Sequence, residues 1–307
     1  MKFLVTGGAG FIGSNLVKFL CDQKHNVVVV DDLSWGYRRL IDKRANFIFG
    51  KIQDRQLMEK ALKGVDTVFH LAALSTINLS LKKPVAYFEN NIMNALQLLE
   101  AMKKTGVKKI VFSSSSSVYG EPKKLPIKED DSKEPINPYG ASKMGFENIL
   151  SAYYHSFGIN SVSLRYFNVF GPNDEQKNNP RAVPTWIKQA ITNEPLRVYW
   201  RGKQEKDFIF VEDIIQANWL AAKNCKGFNY YNVGSGKSIV MLDIIKILEK
   251  IFNKKLEINH AGNRAGDPQR VVADNSKIKK ELGWRQKIGL EEGLKKTVIA
   301  YRKLFRK

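Results

Sequence analysis

Three glycines, at positions 7, 10 and 13, constrain this chain more than any other feature. They lie in Thr6-Gly-Gly-Ala-Gly-Phe-Ile-Gly13, between the apolar run Lys2 to Val5 and the helical pattern Gly13 to Cys21. Without a Cβ, Gly7 permits a tight strand-to-helix turn, Gly10 lets backbone approach a pyrophosphate, and Gly13 lets the helix lie close to the sheet. The first helical turn then offers free amides and the positive end of the helix dipole to phosphate oxygens. Asp31 ends the next apolar run about twenty residues on, where a carboxylate accepts ribose hydroxyls. A second carboxylate, Asp32, would repel a 2′-phosphate, so the pair favours NAD.

The first half of the chain alternates two patterns. Lys2 to Val5, Val27 to Val30, Phe47 to Phe49, Thr67 to His70, Lys109 to Ser113 and Ser161 to Tyr166 predict strands. Gly13 to Cys21, Gln56 to Leu62, Val85 to Lys104 and Tyr139 to Phe157 predict helices. Strands apolar on both faces, alternating with helices, give an α/β fold of Rossmann type, a doubly wound parallel sheet. After Gly171-Pro172 the character changes. Asn173 to Pro180 is a polar loop, Thr185 to Thr192 a helix and Leu196 to Trp200 a short strand. Val211 to Asn224 and Tyr230 to Gly234 form a helix and a strand that return to the main sheet. Met241 to Phe252 and Leu290 to Phe305 are amphipathic helices. The expected division is a NAD-binding domain of residues 1–172, rejoined by 205–236. A smaller α/β domain, 173–204 and 237–307, is interleaved with it and binds substrate.

Composition bounds the function. The chain has 307 residues, 43% hydrophobic and 26% charged, enough for one large or two modest domains. No apolar run approaches the ~20 residues that span a bilayer. Met1 to Thr6 runs straight into the glycine loop, which leaves no room for a signal peptide. Cys21 and Cys225 fall in helix-like segments without a metal pattern, which points to free thiols in a reducing cytoplasm. Net charge is +20, but the lysines are scattered and lack interleaved aromatics. They read as a solvated surface that attracts anionic nucleotides, with no nucleic-acid or membrane partner.

Tyr139-Gly-Ala-Ser-Lys143 supplies the chemistry. Residues four apart share one helix face, Pro138 suits a first turn, and Asn137 suits the cap before it. A cation near a phenol favours the phenolate and lowers a tyrosine pKa from its usual ~10. The pair is therefore a candidate proton-transfer device; standing alone, it would read as an amphipathic surface pair.

The ordered set of motifs resembles a family. It comprises Thr6 to Gly13, Asp31-Asp32-Leu33-Ser34, His70-Leu-Ala-Ala73, Ser113-Ser-Ser-Ser-Ser-Val-Tyr-Gly120, Tyr139-x-x-x-Lys143 and Arg165-Tyr-Phe-Asn-Val-Phe-Gly-Pro172. Lys206-Asp-Phe-Ile-Phe-Val-Glu-Asp213, Asn232-Val-Gly-Ser-Gly236, Arg264-x-Gly-Asp267, Ala273-Asp274 and Leu282-Gly-Trp284 extend it to the end of the chain. The chain resembles the extended short-chain dehydrogenase/reductases acting on nucleotide sugars, most of all the UDP-glucose 4-epimerase-like group. The resemblance implies Tyr139 as acid/base on a sugar hydroxyl and Lys143 on the nicotinamide ribose. It selects Ser115, four residues before Tyr119, as the serine that shares the hydroxyl's proton. Cofactor contacts are implied for Phe11, Ile12, Ile52, Leu71, Ala72, Ala73, Asn91, Ser113 and Tyr166, besides the glycines, Asp31, Asp32, Tyr139 and Lys143. Substrate contacts are implied for Ser115, Asn168, Tyr199, Lys206 and Arg264. Asn168 and Arg264 would meet the diphosphate, and Tyr199 the base. The implied reaction is NAD-dependent C4 epimerisation of a UDP-sugar by a homodimer, paired through Val85 to Lys104 and Tyr139 to Phe157.

Several residues depart from the family pattern. Lys51 replaces an aspartate on the adenine, and as a donor only it cannot accept the adenine amino hydrogens. Lys206 replaces an arginine and loses bidentate phosphate geometry, for which Arg201 could compensate. Val271 stands where relatives carry a bulkier side chain, which implies a roomier sugar pocket. No acid adjoins Ser115, which disfavours 4,6-dehydratase or decarboxylase chemistry. The alternatives are a 4,6-dehydratase, a decarboxylase or a 4-keto reductase on the same scaffold and, from a different class, a non-catalytic NAD-binding protein with a basic RNA-binding surface.

Overall fold

Phe3 to Thr6 of β1 (Lys2–Thr6) are buried on both faces, as a strand at the centre of a covered parallel sheet must be. The structure, a computed structural model, describes residues 1–175, 177 and 181–305. From β1 the chain runs through α1 (Phe11–Asp22), β2 (Asn26–Asp31), β3 (Asn46–Phe49), α2 (Arg55–Ala61), β4 (Thr67–His70), α3 (Ile77–Lys82) and α4 (Pro84–Phe88). It continues through α5 (Asn94–Thr105), β5 (Lys109–Ser115), α6 (Pro138–Phe157), β6 (Asn160–Tyr166), β7 (Asn168–Phe170), α7 (Ala182–Thr192) and β8 (Leu196–Val198). Then come β9 (Glu205–Lys206), β10 (Phe208–Phe210), α8 (Val211–Lys223), β11 (Phe228–Val233), β12 (Ile239–Val240) and α9 (Met241–Phe252). The last elements are β13 (Ile258–His260), β14 (Arg270–Val271), α10 (Ser276–Leu282) and α11 (Leu290–Phe305).

Among the described residues the main sheet has seven strands in the order β11-β6-β5-β4-β1-β2-β3, all pairs parallel. Alternate side chains feed two cores. Phe3, Val5, Val29, Phe69 and Val111 pack with α1 and α8. Leu4, Val28, Val30, Val68, Ile110 and Phe112 pack with α2, α5 and α6 on the other face. From β1 the order runs outward to β2 and β3 on one side and to β4, β5 and β6 on the other. Such a switch opens a crevice at the carboxyl ends of the strands, and ligands of doubly wound sheets settle there. The rest of the chain adds small sheets: β7 with β10, β8 with β13, and β9 between β12 and β14. Residues 205–206 thus pair with the small sheet, while β11 alone of that segment joins the large one.

Several sequence expectations are corrected. The helix expected over Val85 to Lys104 is α4, a π-helical turn at Glu89–Met93, and α5. Strand β5 extends to Ser115, and a 3₁₀ turn, Ser116–Tyr119, follows. The strand expected to reach Trp200 stops at Val198, because Trp200, Arg201 and Gly202 take left-handed backbone with φ of 52°, 52° and 69°. Cys225 lies just beyond α8, and both cysteines are buried free thiols. Of the polar loop expected over Asn173 to Pro180, residues 176 and 178–180 lie outside the described residues.

Candidate active site

The glycine loop is as tight as its sequence demands. Gly7 has φ of 73°, and a Cβ there would lie 2.6 Å from the Ala72 amide nitrogen. A Cβ on Gly13 would lie 2.2 Å from the Gly7 carbonyl oxygen, so any side chain would lever α1 off its loop. Phe11 and Ile12 open α1, whose first turn carries no acid to compete with a phosphate. Asp31 accepts from the amides of Ala9 (2.9 Å) and Leu33 (2.8 Å). Burial pushes its pKa up against those two bonds. Asp32 accepts from the amide and hydroxyl of Ser34. A cleft of about 680 Å³ opens here, lined by Gly7, Gly10, Asp31, Asp32, Ile52, Leu71, Ala72 and Ala73, with Lys51 and Gln53 at one side. Free helix amides, a wall where no Cβ fits and two carboxylates form a cradle that suits a dinucleotide without a 2′-phosphate.

Two expected cofactor contacts are placed differently. Asn91 is 3% exposed, and its amide is consumed by both backbone groups of Leu74 and by Ser142 Oγ. The neighbouring Asn90 lines the cleft instead. A π-helical turn carries an extra residue, which rotates the face presented at this point. Tyr166 is buried and donates its hydroxyl to Asn218 Oδ1 at 3.0 Å, so that group is not free for a ligand.

Helix α6 delivers the reactive pair. Asn137 Oδ1 accepts from the Gly140 amide at 2.8 Å as the N-cap, and Pro138 opens the first turn. Asn137 Nδ2 also donates to the Gly266 carbonyl at 2.9 Å, which ties the helix start to the smaller lobe. Tyr139 is half-buried, the neighbouring Ser115 side chain opposes the rise that burial imposes on its pKa, and Ser115 Oγ accepts from the Ser117 amide at 3.1 Å. Lys143 is 2% exposed, donates to the Ser113 carbonyl at 2.6 Å, and lies 4.7 Å from the Phe112 ring centre. Burial lowers its pKa to about 7 despite the opposing charge of Glu147.

The expectation that Lys143 depresses the Tyr139 pKa is corrected. Burial raises the phenol, and the opposing influences are the Ser115 side chain and the charge of Arg181. The Lys143 ammonium is 5.9 Å from the Tyr139 ring centre and spends itself on Ser113.

Beneath the pair lies a buried ionic network absent from the sequence reading. Glu147, one turn beyond Lys143, accepts from Ser114 Oγ (2.5 Å) and forms a forked pair with Arg165 (closest contact 2.6 Å). Arg165 also reaches the Tyr119 hydroxyl and the Glu129 carbonyl, both at 2.8 Å. The network clamps β5, α6 and β6 together under the site. A charge in the two-sided apolar run Leu164-Arg165-Tyr166 was the available signal, since buried charges need partners.

On the substrate side, Asn168 donates to the Asp207 carbonyl from its side chain (3.2 Å) and backbone (2.9 Å). Tyr199 sits between two guanidinium groups, with Arg264 3.6 Å and Arg197 5.3 Å from its ring centre. The Arg264 Nε is buried without a partner among the described residues. Lys206 corrects its expected role: it is 5% exposed and bound to Asp267 Oδ1 (2.7 Å) and the Pro268 carbonyl. It is a staple, because an ammonium so enclosed must spend its donors nearby. Val271 is buried against Val118, Tyr119, Ile127 and Phe167, so it does not widen a pocket. Arg201 is exposed.

Comparison with known proteins agrees with this geometry. Residues 3–234 match the NAD dependent epimerase/dehydratase family. A UDP-glucose 4-epimerase of Lactobacillus helveticus is 37% identical over 305 residues, covering 94% of this chain and 92% of the relative. The structure of a Thermotoga maritima UDP-glucose 4-epimerase with UDP-glucose superposes with a TM-score of 0.96 at 35% identity, covering 100% of both chains. A Methanobrevibacter ruminantium UDP-N-acetylglucosamine 4-epimerase, solved with UDP-N-acetylmuramic acid, gives 0.93 at 35% identity over 99% of each chain. The chain therefore belongs to the NAD dependent epimerase/dehydratase family.

Proposed function

We propose that the protein epimerises a UDP-sugar at C4, in the manner of UDP-glucose and UDP-galactose, with NAD held throughout turnover. The observation that carries this reading is the placing of Ser115 at the end of β5 and Tyr139 in the first turn of α6, with the Lys143 ammonium 5.9 Å from the Tyr139 ring centre and fixed on the Ser113 carbonyl. When bound, NAD supplies the hydride acceptor and, in its oxidised form, a positive charge that favours the phenolate. Tyr139 takes the proton of the 4-hydroxyl through Ser115 and returns it after the 4-keto sugar has turned over in the site. Lys143, fixed by Ser113, holds the ribose, and Asp31 accepts ribose hydroxyls. Asn168 and Arg264 meet the diphosphate, and Tyr199 the base. Ser114 and Ser116 flank Ser115, so no acid adjoins it in the chain, and the nearby Glu147 is taken up by Ser114 and Arg165. This supports a plain cycle of oxidation, rotation and reduction over dehydratase chemistry.

The reading extends to the assembly. Val85, Phe88 and Met93 on the α4–α5 segment and Phe157 at the end of α6 are exposed apolar residues. A face of this kind suits a second copy of the chain, giving a homodimer built on paired helices. Residues 1–172 with β11 form the cofactor domain, and the sheets of β8 with β13 and of β9 with β12 and β14, together with α9 to α11, the substrate domain. Two buried free thiols fit a reducing compartment such as the cytoplasm. Tyr139→Phe tests the chemistry: turnover should fall by about a hundredfold or more while bound NAD is retained. Unchanged turnover would remove Tyr139 from its role.

A further inference from the structure

Arg181 belongs to no motif in the sequence, yet the fold brings it to the start of α1, next to the glycine loop. It caps the start of α7 on extended backbone. Its Nη2 meets Asp174 Oδ1 at 2.6 Å, and the Asp174 side chain is 1% exposed against 30% for Arg181. The Tyr301 hydroxyl donates to the Asp174 carbonyl at 2.6 Å and fixes that residue in turn. The Arg181 guanidinium lies 4.8 Å from the ring centre of Phe11, the first residue of α1. Its Nε is buried and has no partner among the described residues. Its charge also reaches the Tyr139 phenol, where it opposes the effect of burial.

Two other cations near the site are spoken for, Lys143 by Ser113 and Lys206 by Asp267 and Pro268, while Arg264 stacks on Tyr199 and keeps a partnerless Nε of its own among the described residues. Arg181 is anchored at one end by a buried carboxylate and keeps an unpartnered Nε while its guanidinium lies over Phe11 at the N-terminus of α1. A guanidinium so placed suits a phosphate oxyanion better than a lysine would, because its planar fork makes paired contacts.

We propose that Arg181, positioned by Asp174, binds a diphosphate oxygen at the start of α1. The diphosphate belongs to the nucleotide sugar or to the dinucleotide, and the inference rests on the reading that both meet at Tyr139. It replaces the guanidinium that the family pattern leads one to seek at position 206.

The test compares wild type, Arg181→Gln and Arg181→Lys as purified holoenzyme. UDP and uridine affinities are measured by calorimetry, and retained NAD after dialysis by mass spectrometry. If the sugar nucleotide's diphosphate is the ligand, Gln weakens UDP roughly ten- to a hundredfold, spares uridine and keeps NAD. If it is the cofactor's, Gln loses NAD on dialysis, while UDP binding to NAD-replenished protein is unchanged. Lys, a point charge without the fork, should show the same pattern severalfold weaker, and it serves if the Gln variant does not fold. Wild-type UDP affinity and NAD retention in both variants, with only a lowered Tm, would overturn the proposal and leave Arg181 as the partner of Asp174. Equal losses for UDP and uridine would overturn it too, since uridine carries no phosphate. These are binding measurements, so failure of the epimerase reading shows separately, as a wild type that binds UDP and NAD but turns over no UDP-sugar.

Discussion

At the residue scale, what the sequence made legible were groups whose partners are close in the chain. Tyr139 and Lys143 lie one helical turn apart, so spacing alone aligns them, whereas Ser115, at a strand end, was implied only by the resemblance. Lys206 was misread because its partner Asp267 is 61 residues away. His70 went unread for the same reason. It is 1% exposed, its Nδ1 lies 2.8 Å from Thr6 Oγ1, and Phe112 and Phe146 pack on its ring. Burial, with help from the Lys143 charge, lowers its pKa to about 3. The folded state thus refuses a proton that the unfolded chain accepts near pH ~6.5. His70 therefore favours folding above that pH, and its contribution is lost as pH falls from there towards 3. The stability advantage of wild type over His70→Asn should shrink by roughly 1.4 kcal/mol per pH unit below ~6.5, measured by urea unfolding. A gap that does not change with pH would contradict this account.

At the scale of elements, the strands and most helices followed from pattern, because two-sided apolar runs alternating with amphipathic segments leave few arrangements. The exceptions have local causes. A π-helical turn at Glu89–Met93 leaves the apolar pattern intact while exchanging Asn91 for Asn90 at the cleft. Strands of two or three residues, such as β9, β12 and β14, are too short to show a period and are defined by their partners. Helix α6 carries Tyr139 and Lys143, the proposed catalytic pair, so its start matters most. Asn137→Ala removes both the cap on Gly140 and the tie to Gly266, and should cost about 1–2 kcal/mol in a chemical unfolding curve. A change within a few tenths of a kcal/mol would mean that neither bond holds the helix start.

At the scale of the whole molecule, the topology places every reactive group at one sheet edge. The order β4-β1-β2 opens the crevice, the glycine loop floors it, Ser115 ends β5 and Tyr139 lies in the first turn of α6. The strand β11 returns from far along the chain to extend the same sheet, as the apolar run Tyr230 to Gly234 led one to expect. Assembly is a property of the surface. Val85 is 65% and Met93 58% exposed, and charges in their place would leave the fold intact while opposing any apolar contact across α4 and α5. Val85→Glu combined with Met93→Lys should convert a dimer to a monomer in light scattering at micromolar concentration. Wild type eluting as a monomer would contradict the proposed pairing.

The central claim is a redox cycle that closes on itself. Purified protein, given UDP-glucose or UDP-galactose with no added nicotinamide cofactor, should bring the two to one equilibrium mixture from either side, with no net change in nicotinamide absorbance. Failure to interconvert any member of a panel of UDP-, dTDP-, CDP- and GDP-sugars, by protein that carries NAD, would contradict the account.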